Sequence, residues 1–201
     1  MEDKEYLEKL KKDKNILNIY TYGSAVYGLR NEKSDIDYIV VVNEKDKEME
    51  EVGIFDFHYY SKKEWKDLAN RNNIAFIECV FLDDKFKIKE TYIPDYKISI
   101  EKIRREFSRE ASNSFVKCKK KLTVKKDYNP YIGKKSLFHS LRILMFGIFL
   151  LDNGYIKYNI ANKYYKDIVL SENNDWLYFK NLYQPEYNKL KSEFKKFDRL
   201  I

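Results

Sequence analysis

The chain has 201 residues, of which 44% are hydrophobic, and its 39 lysines and arginines against 32 aspartates and glutamates give a net charge of +7. This length accommodates one large domain or two small ones, and this hydrophobic content excludes a disordered chain. The moderate basic excess fits a partner that bears phosphate groups without requiring one.

The start of the chain and the lengths of its apolar segments favour an intracellular protein. Residues 1–15 are charged and helix-periodic, unlike a secretory signal, and we read no apolar run of the ~18 residues that a membrane span needs. We therefore expect a cytoplasmic protein with no membrane partner. Cys79 and Cys118 are far from each other and form no metal-ligand pair with His58 or His139, so we expect two reduced structural thiols and no zinc site.

The first half of the chain alternates short apolar strands with helical segments. The strand IDYIVVV at 36–42 is apolar on both faces near its end, which is typical of the centre of a sheet. The spacing of Ser61 and Glu64 is that of a capping box and predicts that a helix begins there. The other predicted segments are a helix over 3–13, strands over 16–22, 52–60 and near 85–89, a charged turn over 43–51 and a mostly apolar segment over 74–82.

After Pro94 the sequence pattern becomes helical. A long basic helix is predicted over 98–122, and an apolar helix over 134–151 that Gly154 ends. Further helix is predicted over 159–169 and 174–199.

These two patterns predict an α+β fold built from two domains. An N-terminal α/β domain with a mixed sheet is expected to span residues 1–95. A C-terminal helical domain is expected to span residues 96–201. The sequence shows no internal repeat and no low-complexity linker between them.

Two aspartates, Asp35 and Asp37, stand where the predicted central strand begins. Side chains on a strand alternate between its faces, so these two carboxylates share a face. Asp56 and His58 share a face of the next predicted strand in the same way. If the two strands form a hairpin that turns near residues 46 and 47, Asp37 and Asp56 become cross-strand neighbours. Three carboxylates then converge, and a divalent cation such as Mg²⁺ would neutralise them.

Gly23 and Ser24 directly follow the first predicted strand, with ten residues between Ser24 and Asp35. Glycine lets the backbone approach a ligand closely, and Ser24 is expected to cap a short helix whose first amides would hold phosphate oxygens. A lone D-x-D or Gly-Ser pair is a weak signal. The ordered set of strand, Gly-Ser pair, D-x-D and third aspartate predicts a functional site.

The stretches GSAVYGLRNEKSDID, NNIAFIECVF and KKSLFHSLRIL resemble the nucleotidyltransferase superfamily of DNA polymerase β type. Within it, the chain is most similar to the small nucleotidyltransferases of bacteria, phages and large DNA viruses, over residues 16–155. The resemblance implies a catalytic domain followed by a helical domain that binds nucleotide and substrate. It also implies transfer of a nucleoside monophosphate from an NTP, ATP above all, to an acceptor hydroxyl with release of pyrophosphate.

The resemblance assigns roles to the carboxylates. Asp35 and Asp37 would bind two Mg²⁺ or Mn²⁺ ions and the nucleotide phosphates. Asp56 would hold the catalytic metal and help to deprotonate the acceptor hydroxyl, and the Gly-Ser pair would contact the triphosphate. Many relatives carry a basic or polar residue after the serine, where this chain has Ala25. This departure concerns one phosphate or substrate contact and not the metal site.

Lys135, His139 and Arg142 are spaced i, i+4, i+7 and therefore share one face of the predicted apolar helix. A histidine near an apolar face is often only a core residue. The family, however, places this motif at the nucleotide cleft, which implies that Lys135 and Arg142 bind the triphosphate and that His139 bonds to nucleotide or acceptor. Glu78 and His58 are candidates for orienting a residue of the site or the acceptor. Alternatively, Glu78 lies at the boundary of the core with its carboxylate reaching solvent, and then it needs no functional role.

A run of six lysines in KCKKKLTVKK marks the end of the long basic helix. Most such runs are solvated helix faces, and the alternative is a track for an RNA or DNA backbone. The charge favours RNA slightly over a protein hydroxyl or a small molecule such as an aminoglycoside as the acceptor. The lysines are Lys117, Lys119, Lys120, Lys121, Lys125 and Lys126.

Three other functions stay open at this point. A D-x-D pair also binds metal in sugar-nucleotide glycosyltransferases, although the Gly-Ser pair and Asp56 argue against that class. The lysine run fits a nucleic-acid-binding module on a catalytically silent fold, against which the three retained carboxylates speak. A protein-modifying, AMP-transferring partner of toxin–antitoxin type also fits the sequence.

Overall fold

The computed structural model describes residues 3–32 and 34–197. The chain divides into two compact units, with the division between Lys97 and Ile98. The first unit combines a sheet with helices and the second is helical, so the predicted α+β class is confirmed.

The sheet of the first unit is mixed. Its strands are β1 (Ile16–Tyr22), β2 (Ile36–Val42), β3 (Met49–Val52), β4 (Phe55–Ser61) and β5 (Lys87–Glu90). In the described part of the chain they form one five-stranded sheet in the order β3-β4-β2-β1-β5. The pairs β1–β2, β1–β5 and β3–β4 are antiparallel, whereas β2 and β4 run parallel. β2 therefore occupies the centre, as its apolar sequence predicted.

Helices cover both faces of this sheet. They are α1 (Asp3–Lys12), α2 (Ser24–Tyr27), α3 (Lys62–Arg71) and α4 (Ile74–Val80). On one face, Leu10 of α1 belongs to a buried cluster with Phe57. On the other face, the ring of Trp65 in α3 stacks on Tyr20, with centroids 5.8 Å apart, and meets Phe76 of α4 at 5.3 Å. These contacts pack one helical layer against each face of the sheet.

The prediction was wrong between β2 and β4. The segment 43–51 was expected to be a turn, but Met49–Val52 forms the edge strand β3, which pairs with β4 across Gly53 and Ile54. The predicted third strand begins later than expected, at Phe55, and the hairpin expected between β2 and β4 does not form because these strands are parallel. Charged residues on an edge strand such as MEEV discourage pairing with other chains. The same charged composition is typical of a turn, which is why the sequence predicted one here.

The helix boundaries of this unit follow their capping signals. Ser61 Oγ accepts a hydrogen bond from the Glu64 amide at 3.2 Å, and Glu64 Oε2 accepts one from the Ser61 amide at 2.7 Å, which confirms the predicted capping box. The mostly apolar segment at 74–82 is the helix α4, which begins after the cap residue Asn73. The strand expected near 85–89 is β5.

The second unit is built on an antiparallel pair of long helices. Its helices are α5 (Ile100–Thr123), α6 (Pro130–Asn153), α7 (Tyr165–Ile168) and α8 (Trp176–Lys196). Gly133 near the start of α6 lies against Leu122 at the end of α5, whereas Gly147 lies against Phe107 near its start. Phe194 of α8 also lies against Gly147 and closes the core.

Gly154 ends α6 in the left-handed conformation (φ 78°), as the sequence predicted. The helix expected over 159–169 was wrong in its extent, because this segment holds a 3₁₀ turn at Asn162–Tyr164 and the single turn α7. The last two residues of the helix predicted over 174–199 lie outside the described residues.

α6 is also long and apolar enough to cross a membrane by length and composition alone, which the sequence reading did not anticipate. Its most apolar window has a mean hydropathy of 1.2, and 67% of that window is buried inside the protein. Core helices of globular domains pass the same test, so this property is weak support for a membrane span.

Candidate functional site

Asp37 and Asp56 are direct neighbours on the parallel strands β2 and β4. Residues in register on neighbouring strands point to the same face, so the two half-buried carboxylates lie side by side. Asp35 immediately precedes β2 and is exposed. The structure therefore makes Asp37 and Asp56 neighbours, as the sequence predicted, through parallel register and not through the predicted hairpin.

The electrostatics of Asp56 show that these carboxylates share one environment. Burial raises the pKa of the Asp56 carboxyl, and the negative charges of Asp35 and Asp37 raise it further. Glu51, which is paired with Asp56 across β3 and β4, adds to the same effect. Sequence reasoning missed Glu51 because it lies in the segment mistaken for a turn. A surplus of negative charge therefore surrounds Asp56.

His58 follows Asp56 on the same face of β4 and lies beside Asp37. Its Nε2 is 3.8 Å from Asp37 Oδ1, which is an ion-pair distance. The Asp37 carboxylate raises the pKa of His58, while burial opposes the rise. A protonated His58 would therefore offset part of the negative charge of Asp37 and Asp56.

The turn at Gly23 packs directly against Asp37. Gly23 has φ 69°, and a Cβ atom built on it would lie 2.2 Å from Asp37 Oδ2, so no other residue fits without displacing the carboxylate. Ser24 is the first residue of α2 and not its cap. Among the described residues no side chain caps this helix, so the predicted capping role of Ser24 was wrong.

The three aspartates form an open group of hard oxygen ligands. Within residues 3–32 and 34–197, no three His, Cys, Asp or Glu side chains are grouped closely enough to hold a metal ion by themselves. Mg²⁺ in proteins is commonly held by one or two carboxylates together with substrate phosphates and water. The carboxylates of Asp37 and Asp56, with the exposed Asp35 beside them, fit such a site.

Glu78 is buried in α4 and accepts a hydrogen bond from Tyr27. The distance from Tyr27 Oη to Glu78 Oε2 is 2.8 Å, and the two side chains are 3% and 1% exposed. The sequence predicted that Glu78 supports a basic residue or the acceptor, or nothing at all. The donor Tyr27 is the last residue of α2, and no signal in the sequence pointed to it.

In the helical unit, the charges of Lys135 and Arg142 act on His139, with which the sequence placed them on one helix face. Burial lowers the pKa of His139 well below its ordinary value, and the charges of Arg142, Lys135 and Lys117 lower it further. The Nδ1 atom of His139 is buried and finds no hydrogen-bond partner among the described residues. Lys117 of α5 therefore joins this cluster, although the sequence assigned it to the lysine run.

The rest of the lysine run is mostly exposed. Lys120 and Lys121 lie 2.7 Å and 3.7 Å from the carboxylate oxygens of Asp127, which partly neutralises them. Lys119, Lys125 and Lys126 are exposed side chains. The run thus presents several cationic groups to solvent.

Comparisons with known proteins identify the fold. A family model described as "Nucleotidyltransferase domain" matches residues 3–121, more than half of the chain. Among solved structures, spectinomycin adenyltransferase AAD(9) from Enterococcus faecialis, solved with ATP and spectinomycin, is similar with a TM-score of 0.50. The two sequences are 18% identical over 96% of each chain, which shows a shared fold.

A nucleotidyltransferase-like protein from Exiguobacterium sibiricum matches with a TM-score of 0.34 and 12% identity, over 95% of this chain and 72% of that one. A comparison with curated protein sequences found no match. The residues matched by the family model include Gly23, Ser24 and the three aspartates. This chain belongs to the nucleotidyltransferase domain family.

Proposed function

We propose that this protein is a metal-dependent enzyme that transfers a nucleoside monophosphate from an NTP, ATP above all, to an acceptor hydroxyl and releases pyrophosphate. The observation that carries the proposal is the packing of the Gly23 turn against Asp37, with Asp56 in register beside it. Because Gly23 has no side chain, phosphate oxygens can approach the backbone of this turn. They would then lie next to carboxylates that can bind cations. Family membership supports the same class of reaction.

Asp35, Asp37 and Asp56 are the proposed ligands of Mg²⁺ or Mn²⁺, of which the family resemblance implies two. Bound there, the cations would neutralise the triphosphate and the charge that develops as pyrophosphate leaves. The raised pKa of Asp56, caused by burial and by its acidic neighbours, supports this assignment because it reflects uncompensated negative charge. Oxygen ligands of this kind select hard divalent cations.

Asp56 is the proposed general base. The family resemblance implies this role, and a carboxylate within hydrogen-bond reach of the acceptor hydroxyl can accept its proton. In the proposed step, Asp56 takes the proton of the acceptor hydroxyl. The oxygen of that hydroxyl forms a bond to the α-phosphorus of the NTP. The bond from the α-phosphorus to the α–β bridging oxygen breaks, and pyrophosphate leaves with the bonding electrons. Positioning and charge neutralisation then account for the acceleration.

The cationic cluster of the helical unit is proposed to bind the triphosphate. Arg142 is buried at 4% exposure and Lys135 is exposed, so the cluster combines a buried charge with a solvent-accessible one. His139 is held neutral by its surroundings at physiological pH, which leaves its ring nitrogens for hydrogen bonds to nucleotide or acceptor. Lys117 adds a further charge from α5.

The first candidate acceptor is a small molecule that carries hydroxyl groups. Its support is the fold likeness to an enzyme solved with ATP and spectinomycin. The second candidate is RNA, which the exposed lysines Lys119, Lys125 and Lys126 favour because phosphate contacts by lysine dominate nucleic-acid affinity. Binding to RNA should then weaken steeply with added salt.

Transfer of radiolabel separates these acceptors. The protein is incubated with each NTP labelled at the α-phosphate, Mg²⁺ or Mn²⁺, and small-molecule, RNA and protein fractions from cells. Label is expected in one fraction, and Asp37→Asn should abolish it while the exposed-surface control Asp67→Asn should not. Calorimetry that detects no binding of any NTP in the presence of metal would contradict the proposed function.

A further inference from the structure

The hydrogen bond between Tyr27 and Glu78 joins the proposed phosphate turn to a different layer of the first unit. Tyr27 is the last residue of α2, and Glu78 lies in α4, 51 positions further along the chain. The Oη–Oε2 distance of 2.8 Å and the burial of both groups indicate a well-formed bond in a dry environment. Such a bond fixes the end of α2 relative to α4.

α2 is too short to hold its own position. It has four residues, and helices of fewer than about 12 residues are marginal without tertiary contacts. Its internal bonds return to the turn itself, since the Gly23 carbonyl accepts from the amides of Val26 at 3.1 Å and Tyr27 at 3.3 Å. A change in the position of Tyr27 is therefore expected to move Gly23 as well.

Glu78 is costly where it lies. A carboxyl group at 1% exposure among the apolar residues of α4 loses its hydration and needs hydrogen-bond donors in return. A phenylalanine at 27 combined with an apolar residue of similar shape at 78 would pack here without that cost, whereas either change alone would leave a buried polar group without this partner. Stability by itself therefore gives no reason to keep a buried hydrogen bond here. The cost points to a role of the Tyr27–Glu78 bond at the Gly23–Ser24 turn.

We propose that Glu78 is a positioning residue that holds the Gly23–Ser24 turn against Asp37 by way of Tyr27. This inference rests on the proposed function, because the turn is the proposed triphosphate contact. Gly23 lies so close to Asp37 that a Cβ atom on it would overlap Oδ2, so loss of the bond would free α2 to change the position of the turn relative to this carboxylate. The defect should therefore appear in NTP binding and not in acceptor binding.

Four variants in the full-length chain test this role. Tyr27→Phe and Glu78→Ala remove the bond, whereas Glu78→Gln keeps an acceptor oxygen. The matched control is Tyr59→Phe, which removes the hydroxyl of another buried tyrosine from a partly buried bond to Glu50, 2.9 Å long, on the opposite face of the sheet. All four are measured for KM of NTP, KM of acceptor, kcat and hydrogen exchange of the α2 amides.

Tyr27→Phe and Glu78→Ala are expected to raise KM for the NTP about tenfold, the scale expected for one buried hydrogen bond, and to leave KM for the acceptor within about twofold. Exchange of the Val26 and Leu29 amides should accelerate in both variants. Glu78→Gln should restore most of the NTP affinity, and Tyr59→Phe should change neither KM nor α2 exchange.

Unchanged KM for NTP in Tyr27→Phe, or a Glu78→Gln defect as large as that of Glu78→Ala, would overturn the positioning role. The second result would mean that the charge of Glu78 acts on the ligand directly. Equal defects in Tyr59→Phe would show a general loss of stability. If the wild-type protein binds NTP and transfers label, these outcomes concern Glu78 alone; if it does neither, the proposed function fails and this inference with it.

Discussion

Asp37 and Asp56 lie opposite each other in register, each as the second residue of its strand in the parallel pair β2 and β4. Neighbouring strands are about 4.8 Å apart, so this register places two like charges at close range. The fold tolerates this repulsion at one end of the sheet, where Gly23, which has no side chain, lies against Asp37. Functional sites commonly carry such a cost in stability.

Neutralising Asp56 should therefore stabilise the fold while it abolishes activity. Asp56→Asn removes a group whose pKa burial and its acidic neighbours raise, and unfolding should become harder by up to about 1 kcal/mol. Transfer activity should fall at least about 100-fold, the scale of a lost general base. Urea denaturation and initial rates measure both effects, with Asp67→Asn as the control. A variant that is less stable and still active would contradict the assignment.

Gly23→Ala should cost more than Gly28→Ala, although both glycines have positive φ. Gly28 (φ 70°) has open space around its would-be Cβ, so alanine there should cost about 1 kcal/mol of backbone strain. At Gly23 (φ 69°) the methyl group also meets Asp37 Oδ2, and about 2–3 kcal/mol and most of the activity should be lost. Equal effects of the two substitutions in urea unfolding would show that Gly23 has no special contact.

The two histidines should give opposite pH dependence of stability. The pKa of His139 lies below 6.5, mainly because of burial, so the unfolded state binds more protons and stability falls as pH drops below about 6.5. The pKa of His58 is raised by Asp37, so its contribution is complete below about 6.5 and is lost as pH rises through its folded pKa.

His139→Gln should therefore reduce the loss of stability that occurs as pH falls below about 6.5. His58→Gln should remove a contribution that stabilises the wild-type protein in the same pH range. The free energy of unfolding between about pH 5 and 8 measures both, since this is the range in which histidine titrates. The same slope change in both variants would contradict the opposite shifts.

Both cysteine thiols should be inert in the folded protein. Burial raises the pKa of Cys118 to about 12, and burial together with the charge of Glu78 raises that of Cys79 well above its ordinary value. The thiolate is the reactive form, so a thiol reagent should label neither residue in the native state and both after unfolding. Rapid labelling of native Cys79 would mean that α4 opens readily.

Local signals in the sequence were sufficient for the long or strongly patterned elements. The capping box at Ser61 and the terminating Gly154 mark helix ends by their own chemistry, and β2 shows its central place by its apolar residues on both faces. The Gly-Ser pair and D-x-D indicated the site because charges at the start of a buried strand need a reason. These features depend on neighbouring residues only.

What the sequence could not show depends on tertiary contacts. β3 has the charged composition of a turn, so the parallel register of Asp37 and Asp56 was hidden, although the two were correctly expected to be neighbours. The apolar segment that forms α4 was too short for its periodicity to decide between helix and strand. The bond between Tyr27 and Glu78 joins residues that no local pattern connects.

The measurement that tests the central claim most directly compares ATP labelled at the α-phosphate with ATP labelled at the γ-phosphate, with and without EDTA. Nucleotidyl transfer at Asp37 and Asp56 predicts that only the α-label reaches the acceptor, with one pyrophosphate released per transfer, and that EDTA stops the reaction. Transfer of the γ-label, or transfer of the α-label that persists in EDTA or in Asp37→Asn, would contradict it.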